Sequence, residues 1–228
     1  MAVRILAAMA QRIRAPRLPE VALPALRAAE PSDRPSADGG YDSLEFTDAG
    51  WSGLRARGAA FLECAMRGCA LDDADLRRVR LTDTVLEGVT GAGVQLSEAV
   101  LRDVELLDAR LGGVQLGGAG LNRVLIRGCK IDYLSLRQSR LTDVTFQGCT
   151  LIEPDFGGAR LERVSFADCE LRGADFSHAV LRDTDLRAAS RLEIARGVDR
   201  LGGAVITPAQ LLDLAPALAG HLGIAIQP

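Results

Sequence analysis

Five cysteines, Cys64, Cys69, Cys129, Cys149 and Cys169, are the residues best suited to chemistry, and three of them recur at an interval of twenty. Thiolates bind zinc, close disulfides and act as nucleophiles. The only histidines are His178 and His221, and no Ser or Cys nucleophile motif accompanies them. The chain holds no phosphate-binding loop, dinucleotide fingerprint or metalloprotease helix. A second grid of twenty carries acids: Glu63, Asp83, Asp103, Asp143 and Asp183, interrupted by Arg123 and Arg163. What either grid can do depends on the backbone that sets it out.

Between Leu141 and Phe176 every fifth residue is large and apolar: Leu141, Phe146, Leu151, Phe156, Leu161, Phe166, Leu171, Phe176. Two residues before each stands a compact one, such as Val144, Cys149, Ala159 or Cys169. In an α-helix, fifth residues scatter around the axis. In a flat strand an odd step flips faces. A short strand followed by a bend, repeated every five residues, keeps both positions inward. A second period of twenty lies above the first, in "LTDT" at Leu81, "LRDV" at Leu101, "LTDV" at Leu141 and "LERV" at Leu161. Four pentads therefore close one coil of square section, and stacked coils make a solenoid. Leu121, Ile126, Ile131 and Leu136 should share one interior. One centre fails, Gly91; a missing large side chain predicts a weak or bulged coil there.

The A-[D/N]-L-x-x pattern, as "GADFSH" around Phe176 and "DADLRR" around Leu76, resembles the pentapeptide-repeat family. The resemblance covers roughly residues 41 to 190. It implies an all-β fold, a right-handed quadrilateral β-helix, here of about seven coils. It is also distantly similar to the gyrase-protecting quinolone-resistance members, which mimic duplex DNA with an acidic rod, bind type II topoisomerase and dimerise through C-terminal elements.

With coils about 4.8 Å apart, a straight column of thiols cannot surround zinc tetrahedrally. The cysteines are therefore read as packing groups in the compact slot, and no metal, cofactor or catalytic residue is assigned. The acidic column Glu63, Asp83, Asp103, Asp143 and Asp183 has two readings: a negative rail that imitates a nucleic-acid backbone, or a solvated face whose acids pair with Arg102, Arg123, Arg163 and Arg182. Apolar residues at outward positions are candidate partner contacts: Val85, Leu107 and Leu125 on the second face, Tyr133 and Ile152 on the third.

Composition narrows the function. Twenty-seven basic and thirty acidic residues leave a net charge of −3, which argues against broad nucleic-acid binding. Hydrophobic residues make up 48% and aromatic residues only 4%, as expected of a narrow Leu-runged solenoid. No apolar run is long enough to span a membrane, and the chain is read as cytoplasmic. Residues 1–40 read as a proline-rich flexible arm, with Val3, Leu6, Met9 and Ile13 on one side of a short basic helix or a frayed start. Trp51 is expected to plug the open end of the coil. Residues 191–228 follow the coil, which should stop after Leu186 because Arg191 takes the next centre. Thr207, Pro208 and Gln210 form a capping-box start, and Leu211, Leu212, Leu214 and Leu218 supply an apolar stripe. Pro216 should kink or split this helix, which either caps the coil or also forms a dimer. The expected function is a non-enzymatic protein-interaction scaffold with an unidentified protein partner. The alternative is a DNA mimic that binds DNA gyrase; an enzyme working on a solenoid face is a remote third.

Overall fold

The computed structural model describes residues 13–226. Parallel strands stack in sequence order, each one turn from the next. Leu121 pairs with Leu101 on one side and Leu141 on the other, then Leu161 and Leu181 continue the column. Two faces of each central turn merge into one bent strand, as in Arg140–Gln147. The third face carries three-residue strands such as Lys130–Asp132. The fourth is joined by single bridges running Arg55, Asp75, Gln95, Gln115, Ser135, Asp155, Asp175. This is the square coil that the two periods predict. Leu121, Ile126, Ile131 and Leu136 are all buried in one interior.

The coil has about nine turns rather than seven, because it gains turns at both ends. At the start, Arg27–Ala28 already pairs with Leu44 and Glu45. At the end, the register between Leu171 and its partner slips from twenty residues to twenty-one, so Leu192 rather than Arg191 takes the inward slot. A single inserted residue is absorbed as a bulge. The ladder then runs on to Thr184–Ala204 and Asp185–Val205.

Gly91 produces no bulge: Thr90, Gly91 and Ala92 pair straight across to Arg110, Leu111 and Gly112. The turn draws in instead, since a Cβ on Gly91 would lie 2.9 Å from the Leu71 carbonyl carbon. Trp51 is buried against Phe46 and Phe61, with ring centroids 5.0 and 6.2 Å away, and Tyr41 stacks on Phe61. The plug at this end is an aromatic cluster, not one ring. The helix Pro208–His221 starts with the expected box: Thr207 Oγ1 accepts from the Gln210 amide and Gln210 Oε1 accepts from the Thr207 amide. Pro216 does not split it, and the helix runs unbroken to His221.

Candidate interaction surfaces

Each pentad turns its corner at the residue two beyond the centre. That residue has positive φ in every pentad from Glu63 to Asp183, and among the acids of the column it runs from 48° at Asp83 to 57° at Asp143. The left-handed region favours glycine, then Asn and Asp, whose short polar side chains bond locally. The acidic column is thus first of all a column of corners. Backbone geometry selects Asp here before any partner does.

Two of the five acids in the column are also neutralised. Arg163 grips Asp143 with two bonds, of 2.7 and 3.1 Å. Arg123 grips Asp103 in the same two-pronged way. Asp103 and Asp143 thus pair with the arginines one turn further on. Neither carboxylate is exposed: Asp143 is 1% and Asp103 8% accessible. Burial pushes the Asp143 carboxyl up, but the bonds from Arg163 and from the Arg17 amide outweigh it and hold it below its usual value. The Arg123 hydrogen bonds, against burial, do the same for Asp103. An open rail including Asp103 and Asp143 is therefore corrected. Glu63, Asp83 and Asp183 remain half-exposed.

The N-terminal arm supplies the rest of the cover. The Arg14 amide donates to Asp183 Oδ1 at 3.3 Å, and the Arg17 amide to Asp143 Oδ1 at 3.1 Å. Arg17 Nε also lies 3.4 Å from Asp143 Oδ2. Residues from Ile13 onward therefore lie along the coil rather than swinging free as a linker. Val3, Leu6 and Met9, expected on a short helix, lie outside the described residues.

Val85, Leu107 and Leu125 do not form an exposed patch: they are 8–9% accessible. They are buried although they lie outside the core cluster, and their value as open contacts is corrected. Tyr133, in contrast, is 58% exposed, and Ile152 on the same face is half-buried.

A sequence profile described as "pentapeptide repeat region" matches residues 42–136 and 139–193, more than half of the chain. The chain belongs to the pentapeptide-repeat family. No curated protein matches it. Among solved structures it is similar to HetL, a pentapeptide repeat protein involved in heterocyst differentiation regulation from the cyanobacterium Nostoc sp. strain PCC 7120. The identity is 21%, over 75% of this chain and 90% of that one, with a TM-score of 0.31. It is also similar to full-length QnrB1, a plasmid-mediated fluoroquinolone resistance protein, at 17% identity over 82% of this chain and 100% of that one, with a TM-score of 0.36. These likenesses concern the fold and carry no functional information.

In this pentapeptide-repeat coil the five cysteines are unpaired and buried. Cys129, Cys149 and Cys169 stack on successive turns, and their thiols donate to carbonyls two residues back, Arg127, Gln147 and Ala167. The neighbouring Cys149 sulfur and burial both push Cys129 and Cys169 up; burial does the same for Cys64 and Cys69. Such thiols stay protonated and unreactive. Among the described residues no cluster of His, Cys, Asp or Glu is arranged to hold a metal. His178 and His221 are both exposed. No described helix is long and apolar enough to cross a membrane.

The C-terminal helix closes one end of the coil. Gln210 Nε2 donates to the Leu186 and Ala189 carbonyls at 2.8 and 3.3 Å, fixing the start of the helix to the last part of the coil. Of the expected stripe, Leu214 is buried and Leu218 half-buried, while Leu211 and Leu212 face solvent. The tail after the helix adds Leu222, Ile224 and Ile226, each more than half exposed.

Proposed function

We propose that this chain is a non-enzymatic protein-binding scaffold of the cytoplasm, and that its main contact is the apolar C-terminal end. The observation that carries the reading is the set Leu211, Leu212, Leu222, Ile224 and Ile226, exposed by 49%, 75%, 71%, 56% and 66%. Scattered apolar residues on a surface are ordinary, but five exposed ones on a single helix and the tail after it point to a contact site. A second copy of the chain fits it: two-fold pairing presents the same patch from both sides. Tyr133, with Ile152 beside it on the third face, is left as the side contact for a different protein. Five unpaired thiols suit a reducing compartment. The test is sedimentation of the full chain against L212E and I224E. The parent should sediment as a dimer at micromolar concentration and both variants as monomers. A monomeric parent would remove the end-to-end contact.

A DNA mimic acting on DNA gyrase is the second reading, and one observation favours it. Glu63 and Asp83 stand on adjacent turns with no ion pair among the described residues, about one strand spacing apart. Their effect should be seen in a gyrase supercoiling assay, weakening as salt screens exposed charge. Loss of the effect in an E63Q/D83N variant would support the mimic; a parent with no effect on supercoiling would exclude it. Asp103 and Asp143 are unsuited to this test, because their removal strands Arg123 and Arg163.

A further inference from the structure

The arm and the corner it lies on share a repeat. Ile13, Pro16 and Pro19 are half-buried, whereas Arg14, Ala15, Arg17 and Leu18 are exposed. That is a period of three, the period of a polyproline II helix, which advances about 3.1 Å per residue. Three residues therefore cover about 9.3 Å, and two turns of the coil about 9.6 Å. The contacts follow both rulers at once: Arg14 meets Asp183 and Arg17 meets Asp143, and Glu20, three residues further on, lines one hollow with Asp103. Each step is three residues along the arm and two turns down the rod. The skipped turns carry Arg123 and Arg163, whose guanidiniums occupy Asp103 and Asp143 from one side. A carboxylate has lone pairs to spare beyond such a pair, and the arm's amides take them. Pro16 and Pro19 have no N–H to leave unpaired, and they fix φ near the polyproline value.

We propose that the corner bearing Asp103, Asp143 and Asp183 is a docking groove for an extended polyproline II segment, and that residues 13–20 of this chain occupy it as a displaceable strap. Recognition is by main-chain N–H at every third residue, so the groove reads spacing and proline placement more than side-chain identity. While the strap is in place, the central acids are closed to any outside partner. An incoming peptide of the same register must displace it. The inference is independent of the partner readings above.

Amide hydrogen exchange on the intact, full-length protein tests it. The Arg14, Arg17 and Glu20 amides should exchange at least tenfold more slowly than those of Ala15 and Leu18. R17P removes the central donor while keeping an extended backbone, and it should bring the Arg14 and Glu20 amides up to the Ala15 rate. R17A, which keeps the N–H and loses only the exposed guanidinium, should leave most of the protection. Because the strap lies outside the core, the coil amides should stay protected in both variants, which separates strap release from unfolding. A synthetic peptide of residues 13–24 at millimolar concentration should accelerate the same amides in the parent. The proposal fails if Arg14, Arg17 and Glu20 exchange as fast as Leu18 in the parent, or if R17P leaves their protection intact. It fails equally if a peptide with its prolines moved out of the three-residue register competes as well as the native one.

Discussion

The turns from Leu141 to Leu186 and those from Leu86 to Leu111 obey one repeat rule and are packed differently. In the first region Phe146 stacks on Phe166 and Phe156 on Phe176, with centroids 4.8 and 5.0 Å apart and rings within 7° of parallel. The two stacks come from opposite faces and meet edge to face at 5.9 Å, which fills the axis. All four rings are fully buried. In the second region the same positions hold Leu86, Leu96 and Leu106, which are only partly buried. A narrow apolar void of about 70 Å³ runs through the core between Trp51 and Leu136. Leucine opposite leucine leaves the axis open where phenylalanine opposite phenylalanine closes it. Register is set by where the centres stand, and density by how far each side chain reaches.

The largest consequence should appear on truncating a ring. F156A should cost about 3–5 kcal/mol and L106A about 2 kcal/mol, at the low end of its class because its site is already loose. Chemical denaturation midpoints measure both; equal losses would break the contrast. Adding a methylene should then separate the regions by sign. V144I in the ring-packed turns should lose about 1–3 kcal/mol by overpacking. V104I, on the void, should gain up to about 0.8 kcal/mol, seen as a rise in the same midpoint.

Acid should act on the corners and leave this packing contrast in place. Arg77 hydrogen bonds hold the Asp75 carboxyl at about 2, and Asp103, Asp143, Asp175 and Asp185 are also held low. Values below the unfolded carboxylate, near 3.9, mean that the stabilisation is complete above that pH and is lost as pH falls toward about 2. Thermal scans from pH 6 downward should therefore be flat to about pH 4 and then drop, with F156A still below L106A throughout. The smallest effect concerns the thiols. All five should resist labelling under native conditions, with Cys64, Cys69 and Cys129, whose neighbours Phe61, Met66, Leu71, Ile126 and Ile131 line the void, reacting before Cys149 and Cys169 through local opening. Mass spectrometry of a labelling time course gives the order.

The interior was legible because its signal is strict: Leu121, Ile126, Ile131 and Leu136 carry it in side chains at fixed steps. The ends were not, because pairing there is made by backbone. Arg27–Ala28 shows no apolar centre, and the inserted residue before Leu192 moves the centre one place along. The corner acids were visible as a column, but a count of charges does not show that a left-handed turn favours Asp there. Nor does it show that Arg163 and Arg17 close over Asp143. The arm reads as a linker because its prolines exclude helix and sheet, and its partners lie 126 and 169 residues away in sequence. Val85 and Leu125 lie off the core and are nonetheless buried, since period alone says which way a side chain leaves the sheet and not how exposed it is there.

Every ladder bond in this coil points along the rod, joining each turn only to those above and below. Under tension applied at the two ends these bonds are therefore loaded one turn at a time, as in a zipper, and not all together as in sheared strands. Each turn that lets go frees twenty residues, roughly 70 Å of extended chain. The molecule should yield in small, evenly spaced steps at low force, first among the turns around the void. The arm alone runs lengthwise, tying Asp143 to Asp183 across two turns, and while it holds, those turns share the load.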